Sequence, residues 1–491
     1  MTSTTVTHQV GAAGKGRGLA LVVILLAAFL DLIGVTILNV VLPAVQADLK
    51  ASPAHLQWIQ AGYTLAFALG MVSGAKLGDL LGHKRVFIVG IAGFAAASAL
   101  CGLAGSPDLL VGARVLQGLF AAAMIPQVLS QIQVMYAPRE RGGPMAAFAA
   151  LSGLAATLGP IAGPALLEWD LWGAGWRLVF WVNVPLAVLA VVASLKLLPD
   201  SRANSAARLD LVGVALSAAG LLLVLYPLIT AADRSGWPLW TWISLGAGLV
   251  VLAGFVFWER RVAAPLVQMS LFRFRSVNGG LLVQMLFFVP TMGFFMVFML
   301  FLQLGLGMSP MRSGLTILPW SVAVPVFATL SAALLLPRIG RATVQIGLMV
   351  LALGFALVAI QTAGATPGTG WLDLVWGVLV GGAGMGMVVA PLLQLTLDDV
   401  PVADAGSGSA LYNTVTQLAA SVGVAVIGTF FFTRVQDIEQ TPQALAKGFG
   451  DAQAASLWLG IALLAAAFAA TFLLPRKPTA SPDPATQSVG E

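Results

Sequence analysis

The sequence predicts an all-α polytopic membrane protein with 14 transmembrane helices. Charged residues make up 9% of the 491 residues and hydrophobic ones 59%, whereas soluble domains carry about 25% charged residues because their surfaces face water. Long apolar runs recur along the whole chain. The single cysteine, Cys101, excludes an intramolecular disulfide and a cysteine metal cluster. These observations favour a chain that lies almost entirely within a bilayer.

Each apolar run is close to the roughly 20 residues that cross a hydrocarbon layer about 30 Å thick. The first run follows Lys15 and Arg17 and is longer than the roughly 7–15 residues of a signal-peptide core, so it predicts an uncleaved helix. The predicted spans are 19–43, 56–75, 86–106, 109–136, 144–167, 178–198, 209–230, 238–258, 278–303, 313–336, 343–362, 372–397, 406–433 and 454–474.

The positions of the basic residues predict the orientation of these helices. With a cytoplasmic N-terminus, 18 of the 25 Lys and Arg residues fall on the inner side, six on the outer side, and Arg114 within the fourth helix. Loops rich in Lys and Arg stay in the cytoplasm. We therefore expect a multi-pass protein of the inner (cytoplasmic) membrane with both termini in the cytoplasm.

No segment outside these helices is long enough to fold on its own. The longest loops, near 259–277 and 434–453, are far shorter than the roughly 50 residues of a small domain. The Gly-rich start lacks the spacing of a phosphate-binding loop. The predicted organisation is a cytoplasmic tail over 1–18, a six-helix bundle over 19–198, two inserted helices with linkers over 199–277, a second six-helix bundle over 278–474, and a disordered tail over 475–491.

A weak internal repeat supports two related halves. The loop from Gly74 to Arg85 and the loop over 334–341 each join the second and third helices of a six-helix block, and they align when Gly82 is placed on Gly340. Duplication of this kind is expected of transporters that rock two halves about a central site.

The loop over 74–85 also resembles the G-x-x-x-D-R-x-G-R-R signature of the major facilitator superfamily, although Ala75 and Leu80 depart from it. In that family this loop latches one conformation on the cytoplasmic side. Glycines permit a tight turn between closely packed helices. The alternative is that its basic residues only hold the loop inside. The expected gating residues are Gly74, Gly78, Asp79, Gly82, Lys84 and Arg85.

Three further segments resemble the fourteen-helix drug/proton antiporter branch of that superfamily, whose members export drugs or antibiotics. The segment from Arg114 to Gly118 is similar to R-x-x-Q-G. An arginine inside the membrane is costly unless it meets water or a partner, so a functional role is expected; a structural anchor near the outer interface is the alternative. The face predicted to line a cavity comprises Arg114, Gln117, Ala121, Met124 and Gln131.

In the fifth helix, Gly159-Pro160-Ile-Ala-Gly163-Pro164 resembles the G-P-x-x-G-G element that marks antiporters, with Pro164 in place of the second glycine. The resemblance implies an exporter. The alternative is that the small residues only let two helices approach closely.

The first helix carries the fourth resemblance, to L-D-x-T-x-x-N-x-x-L-P. The family places an acid at position 34, where this chain has Gly34, and Asp31 lies one turn earlier. Asn39 from this segment and Tyr63 from the second helix are expected in the substrate cavity.

Asp31 is the only acid that the sequence places deep in the bilayer. Burial disfavours the charged form of a carboxyl, so Asp31 is a candidate for taking and releasing a proton. We expect protonation and substrate binding to compete at Asp31. Arg114 would bias that balance through water, since helix geometry puts the two about 10 Å apart in depth.

Evidence for the substrate is more general. The ninth helix is crowded with Phe and Met next to Gln284, which suits a large apolar ligand or a lipid-facing surface equally well. Asn413 and Gln417 form a polar face on the thirteenth helix. We expect a hydrophobic small-molecule substrate, protons and lipid as partners, no nucleic acid and a monomer. No cofactor or metal is expected, because the three His lie in the tail or in loops.

The predicted function is a proton-coupled antiporter that exports a hydrophobic drug, antibiotic or related small molecule by alternating access. An enzyme is not expected, because the chain has no HExxH motif and no second intramembrane acid beside Asp31. Proton-coupled uptake or metabolite export would suit the same fold. A non-transporting membrane sensor is the second alternative.

Overall fold

The protein is described here from a computed structural model, in which residues 14–200, 209–233, 238–262, 265–401 and 404–476 are placed. All regular structure in these ranges is helical, and 14 helices are long and apolar enough to cross a membrane. The expected fold class is therefore confirmed. The predicted disordered tail from 477 onward, residues 1–13 of the N-terminal tail and linker residues 201–208 lie outside the described residues.

The membrane-spanning helices are numbered in chain order. They are α1 Gly16–Leu49, α2 Pro53–Leu81, α3 His83–Gly102, α4 Pro107–Met135, α5 Gly142–Trp169, α6 Gly175–Leu197, α7 Leu211–Asp233, α8 Leu239–Glu259, α9 Arg275–Gly305, α10 Pro310–Ile339, α11 Ala342–Ala363, α12 Trp371–Leu397, α13 Ala405–Phe432 and α14 Pro442–Leu473.

The start of α14 corrects the expected loop at 434–453. The helix begins at Pro442, where the side chain of Thr441 accepts a hydrogen bond from the Ala444 amide at 3.3 Å. Its first turns are buried against α11: a Cβ atom on Gly450 would overlap the Thr362 carbonyl. Polar residues such as Gln453, which is fully buried, lower the hydropathy of a segment that neighbouring helices shield from lipid.

Contacts divide the helices into two groups of six and one pair. Helices α1–α6 pack mainly against one another, as do α9–α14, and α7 packs mainly against α8. Between the two groups, α2 meets α13 and α5 meets α10. Small residues permit the closest packing, as between α2 and α4, where a Cβ on Gly74 would overlap the Ala122 carbonyl.

The inserted pair α7–α8 is attached to both groups. At the end of α7, Asp233 accepts hydrogen bonds from the Ser52 hydroxyl (2.6 Å) and the Ala54 amide (2.9 Å) at the start of α2. From the other group, Thr429 of α13 donates to the Leu228 carbonyl at 2.8 Å. The pair therefore spans the seam between α2 and α13.

The two groups of six meet at one side of the membrane only. We call the side that holds Arg17 and Arg476 the terminus side and the opposite one the far side. The hydrogen bonds between the described helices of the two groups all lie in the far half: Thr64 with Ser421 (2.7 Å), Ser421 with Ala61 (3.5 Å), Thr429 with Gln57 (3.2 Å), Gln303 with Val40 (2.8 Å) and Thr157 with Ser321 (3.1 Å). On the terminus side Asn413 of α13 is exposed. The protein is thus closed at the far side and open at the terminus side.

Helix α5 is held between α1 and α10 by its Gly-Pro segment. A Cβ on Gly159 would overlap the Thr36 hydroxyl of α1, and one on Gly163 would lie 3.1 Å from Ile37 Cγ2. On its other face, the Pro160 carbonyl occupies the space that a side chain at Gly314 of α10 would need. This segment therefore touches both groups of helices.

We predict that Gly159→Ala lowers the apparent melting temperature of the purified protein by several degrees, because overpacking a tight contact costs about 1–3 kcal/mol. Gly34→Ala on α1 is the matched control, since a Cβ there meets no atom within 4 Å. It should be neutral or stabilising, because Ala is the better helix former by up to about 1 kcal/mol. Equal melting temperatures for the two variants would contradict this account of the α1–α5 contact.

Candidate proton and substrate site

Three helices bring Asp31, Tyr63 and Arg114 together inside the first group. Asp31 of α1, Tyr63 of α2 and Arg114 of α4 are 4%, 1% and 2% exposed. The Tyr63 hydroxyl donates a hydrogen bond to Asp31 Oδ1. The face of the same ring lies 4.1 Å from Arg114 Cζ. Tyr63 therefore joins the carboxylate and the guanidinium.

Two donors of Arg114 are used within the same group. Its Nε donates to the Ile59 carbonyl at 3.0 Å and its Nη1 to Gln117 Oε1 at 2.5 Å. Gln117 in turn donates to the Ser98 hydroxyl of α3 at 2.6 Å. A buried charge is tolerated only where such partners replace water. This network is how the intramembrane arginine is accommodated.

The structure corrects the expected water-mediated link between Asp31 and Arg114. The space between them is filled by Tyr63, a residue expected in the substrate cavity. Among the described residues, Arg114 forms no ion pair with a carboxylate within 4.0 Å. Sequence reasoning gave the depth of each residue, but it had no information on how α2 is rotated against α1 and α4.

The predicted cavity face of α4 is also buried in this conformation. Gln117, Met124 and Gln131 have at most 2% of their surface exposed. The reason is that α4 is wedged between α2 and α3: a Cβ on Gly90 of α3 would lie 3.0 Å from Met124 Cα. Gln117 belongs to the hydrogen-bond network of the first group, and Met124 is packed in its core, whereas both amide atoms of Gln131 are buried without a hydrogen-bond partner among the described residues.

In the second group, Gln284 of α9 is likewise buried rather than cavity-lining. Its Nε2 donates to the Thr416 hydroxyl at 2.9 Å, and its Oε1 accepts from the Tyr412 hydroxyl at 2.7 Å. It thus cross-links α9 to α13. Sequence reasoning missed Tyr412, although a tyrosine in a membrane-spanning run is itself a signal, because its hydroxyl needs a partner there.

The other predicted cavity residues are more accessible. Asn413 is exposed on the terminus side and donates to the Ser409 carbonyl at 3.0 Å. Gln417, one turn further along α13, is half-buried. Asn39 of α1 is half-buried near the closed far side. Asn413 and Gln417 are therefore the predicted cavity residues that a solute entering from the terminus side meets first.

The aromatic residues of α9 are mostly buried, with Phe288 and Phe295 half-buried. The Phe294 ring centroid lies 4.9 Å from that of Phe298, 5.1 Å from that of Trp320 and 5.3 Å from that of Phe355. All four side chains are at most 1% exposed. They form the core of the second group.

The loop between α2 and α3 turns sharply at Gly82, whose φ of 97° favours glycine. Gly340, its partner in the proposed repeat, also has a positive φ, 58°. Asp79 Oδ1 lies 3.7 Å from His83 Nε2 of the same loop. Among the described residues, Asp79 thus pairs within its own loop and not with the second group of helices.

The rest of this loop is fixed to α4 and α6. Gln127 of α4 donates to the Gly74 carbonyl at 2.8 Å and meets His83 Nδ1 at 2.8 Å, while its Oε1 fills the space that a Cβ on Gly78 would need. Lys84 lies 3.9 Å from Asp200 beyond the end of α6, and Arg85 is exposed. In the part of the chain that the structure describes, no three His, Cys, Asp or Glu side chains are arranged to hold a metal ion.

Comparison with known proteins assigns the family. The profile of the Major Facilitator Superfamily matches residues 24–424. The chain belongs to the Major Facilitator Superfamily. It is therefore a membrane transporter and not an enzyme.

Relatives within the superfamily include named exporters. The probable actinorhodin transporter of Streptomyces coelicolor is 40% identical over 94% of this chain and 92% of its own length. The puromycin resistance protein pur8 of Streptomyces alboniger is 36% identical over 84% and 81%. The multidrug efflux pump LfrA of Mycolicibacterium smegmatis is 33% identical over 92% and 88%. Together with the 14 helices, these relatives confirm the resemblance to the drug/proton antiporter branch.

Solved structures agree with the fold. A bacterial homologue of the human lysosomal transporter Spinster, in an inward-facing and unoccupied conformation, gives a TM-score of 0.69 at 15% identity over 96% of this chain and 100% of its own. A peptide transporter in complex with sulfate gives 0.64 at 17% identity over 93% and 95%. At such low identity the likeness concerns the fold alone.

We predict that Tyr63→Phe moves the pH dependence of transport to higher pH, because it removes a donor that stabilises the ionised Asp31 carboxylate and leaves the ring on Arg114 in place. The measurement is initial transport rate against pH in proteoliposomes. Tyr412→Phe, which removes the hydroxyl that bonds Gln284 in the other group, is the matched control and should leave the profile where it is. A shift of the same size in both variants would contradict a specific role for Tyr63.

Proposed function

We propose that the protein is a proton-coupled antiporter that exports a hydrophobic drug, antibiotic or related small molecule by alternating access. The observation that carries the proposal is the buried Asp31–Tyr63–Arg114 network, which holds a protonatable carboxyl beside a fixed positive charge. The named relatives, which include an actinorhodin transporter and a puromycin resistance protein, support a substrate of this class.

In the proposed orientation the termini are cytoplasmic, which the excess of Lys and Arg on that side supports. The open terminus side then faces the cytoplasm. A hydrophobic solute enters there, from the cytoplasm or the inner leaflet, and meets the polar face of Asn413 and Gln417. All six helices of each half come from the same chain, so a monomer is sufficient for transport.

Exchange of the proton for the substrate takes place through Asp31. The positive charge of Arg114 favours the ionised carboxylate, and binding of a proton removes that attraction. Because Tyr63 contacts both groups, a change of charge on α1 alters the hydrogen bonding of α2 and α4. Gly159 contacts α1 and Pro160 contacts α10. Through α5, the helix that carries Asp31 is therefore connected to the second group of helices at the closed far side.

Proton flux in proteoliposomes with an internal pH indicator tests the exchange. We expect addition of lipophilic cations or neutral antibiotics to drive proton movement that Asp31→Asn abolishes without loss of expression. Gly34→Ala, one turn away on α1, is the control and should transport normally. Proton movement that survives Asp31→Asn would remove Asp31 from the mechanism. If none of the compounds moves protons, uptake of radiolabelled solutes distinguishes transport of another solute from no transport.

A cysteine pair tests alternating access at the far side. Thr64 of α2 and Ser421 of α13 form a hydrogen bond between the two groups, with their hydroxyl oxygens 2.7 Å apart. We expect Thr64→Cys with Ser421→Cys to form a disulfide and, once oxidised, to stop efflux, with activity regained on reduction. The single variant Ser421→Cys carries only one new thiol and should be insensitive to oxidation. Full efflux by the cross-linked protein would exclude opening at this seam.

A further inference from the structure

Two buried acids lie outside the Asp31 network, at the terminus side of the inserted pair. Asp210 caps the start of α7 and Glu259 ends α8, and they are 6% and 2% exposed. Asp210 accepts hydrogen bonds from the Gly213 amide at 2.9 Å and from Trp258 Nε1 at 3.0 Å. Both acids are therefore shielded from water near the edge of the membrane.

The two carboxyl groups face each other. A Cβ on Gly213 would lie 2.5 Å from both Asp210 Oδ2 and Glu259 Oε1, so these oxygens are no more than about 5 Å apart. Glu259 Oε2 accepts from the Val267 amide at 3.0 Å. Glu259 Oε1, the oxygen aimed at Asp210, is buried and has no hydrogen-bond donor among the described residues. Because Glu259 Oε1 is buried opposite Asp210 Oδ2, a proton on Glu259 Oε1 would complete a hydrogen bond between the two oxygens.

We propose that Glu259 carries a proton on the oxygen that faces Asp210, and that the pair forms a second proton-binding site. Like charges at this separation in a buried site are costly, so the Glu259 carboxyl is neutral and donates to Asp210. Among the described residues, Lys76 of α2 is a cation that interacts electrostatically with both acids. With one proton bound, the three groups sum to zero charge. Loss of the proton leaves one uncompensated negative charge.

The same site anchors a linker that bridges the two groups of helices. We call residues 265–274 the strap. Its Pro265 carbonyl accepts from Lys76 Nζ at 2.7 Å, and its Gln268 side chain donates to Asp404, at the start of α13, at 2.9 Å. Glu259 holds the strap through the Val267 amide. The strap thus joins α2 to α13 at the terminus side, where the described helices of the two groups form no hydrogen bond with each other.

The consequence is a strap whose attachment depends on the proton. With the proton bound, the neutral Glu259 carboxyl donates to Asp210 and accepts only weakly from the Val267 amide. When the proton leaves, the ionised carboxylate accepts more strongly from Val267, because hydrogen bonds to charged acceptors are the stronger ones. The strap would therefore be held more tightly to α8 as the cytoplasmic pH rises. The inference concerns the inserted pair and stands whether or not the substrate is a drug.

The exposed contact between Arg17 and Glu140, on the same side, does not depend on a proton near neutral pH. Hydrogen bonds from Arg17 and the Ala137 amide hold the pKa of the exposed Glu140 carboxyl below its ordinary value. A carboxyl with a lowered pKa stays ionised through neutral pH, and its contact is lost only when the pH falls through that pKa. Glu140→Gln is therefore a matched control, because it changes an acid to an amide without affecting the strap.

Infrared spectroscopy of the reconstituted full-length protein detects the proton directly. We expect a protonated-carboxyl band that titrates with pH in the wild type, in Glu140→Gln and in Asp31→Asn. In the Asp31→Asn background, where the Asp31 carboxyl makes no contribution, the band should be lost when Glu259→Gln or Asp210→Asn is added. Glu259→Gln is expected to fold, because its amide can donate to Asp210 and still accept from Val267. If the band in that background titrates with Glu259→Gln and with Asp210→Asn as it does without these changes, the proposal is wrong.

Hydrogen exchange of residues 265–274, corrected for the intrinsic effect of pH on exchange, tests the strap. Across the titration, protection in the wild type should rise with pH, by no more than about tenfold for each pH unit, because release of one proton strengthens the Val267 bond. In Glu259→Gln it should be independent of pH, while Glu140→Gln should behave as the wild type. An identical pH response of Glu259→Gln and the wild type would show that the strap does not depend on this proton.

Discussion

The architecture of the first half depends on providing partners for one arginine where no water is available. Arg114 is 2% exposed inside a group of apolar helices, and its contacts determine how three neighbouring helices are placed. Ile59 fixes α2 by its carbonyl, Gln117 extends the network to α3, and the Tyr63 ring lies against the guanidinium. Unpaired charge in this environment is costly, so the positions of α2, α3 and α4 are interdependent, and Asp31 joins them through Tyr63.

Close packing of small residues then connects this network to the rest of the molecule. In a bilayer, association of helices relies on van der Waals contact and hydrogen bonding, because lipid is as apolar as the side chains. The Gly159 segment lets α5 touch α1 on one face and α10 on the other. The inserted pair adds a second connection between the halves, with Asp233 at the far side and the strap at the terminus side. A change of charge on α1 or α8 can therefore alter the contacts between the two halves at both the far side and the terminus side.

Several parts of this picture were accessible from the sequence. The helix number, Asp31 and Arg114 as intramembrane charges, and the small-residue segment at Gly159 all follow from local composition. Tyr63 as a bridge, the burial of Met124 and Gln284, and the early start of α14 did not follow. Each of these depends on which face of a helix meets which neighbour. Helical spacing predicts which residues share a face of a helix. It does not predict whether that face is buried against a neighbour or lines a cavity, because both have the same spacing.

What the sequence alone determined is the set of membrane-spanning segments, because an apolar run of sufficient length must enter the bilayer as a helix. The intramembrane charges were also fixed at this level, since their cost is a local property. Only the tertiary structure decided which of these groups meet, which seam is closed, and that Asp210 and Glu259 face each other across α7 and α8. The physical reason is that side-chain partners are set by helix rotation and packing, and these are properties of the assembled bundle.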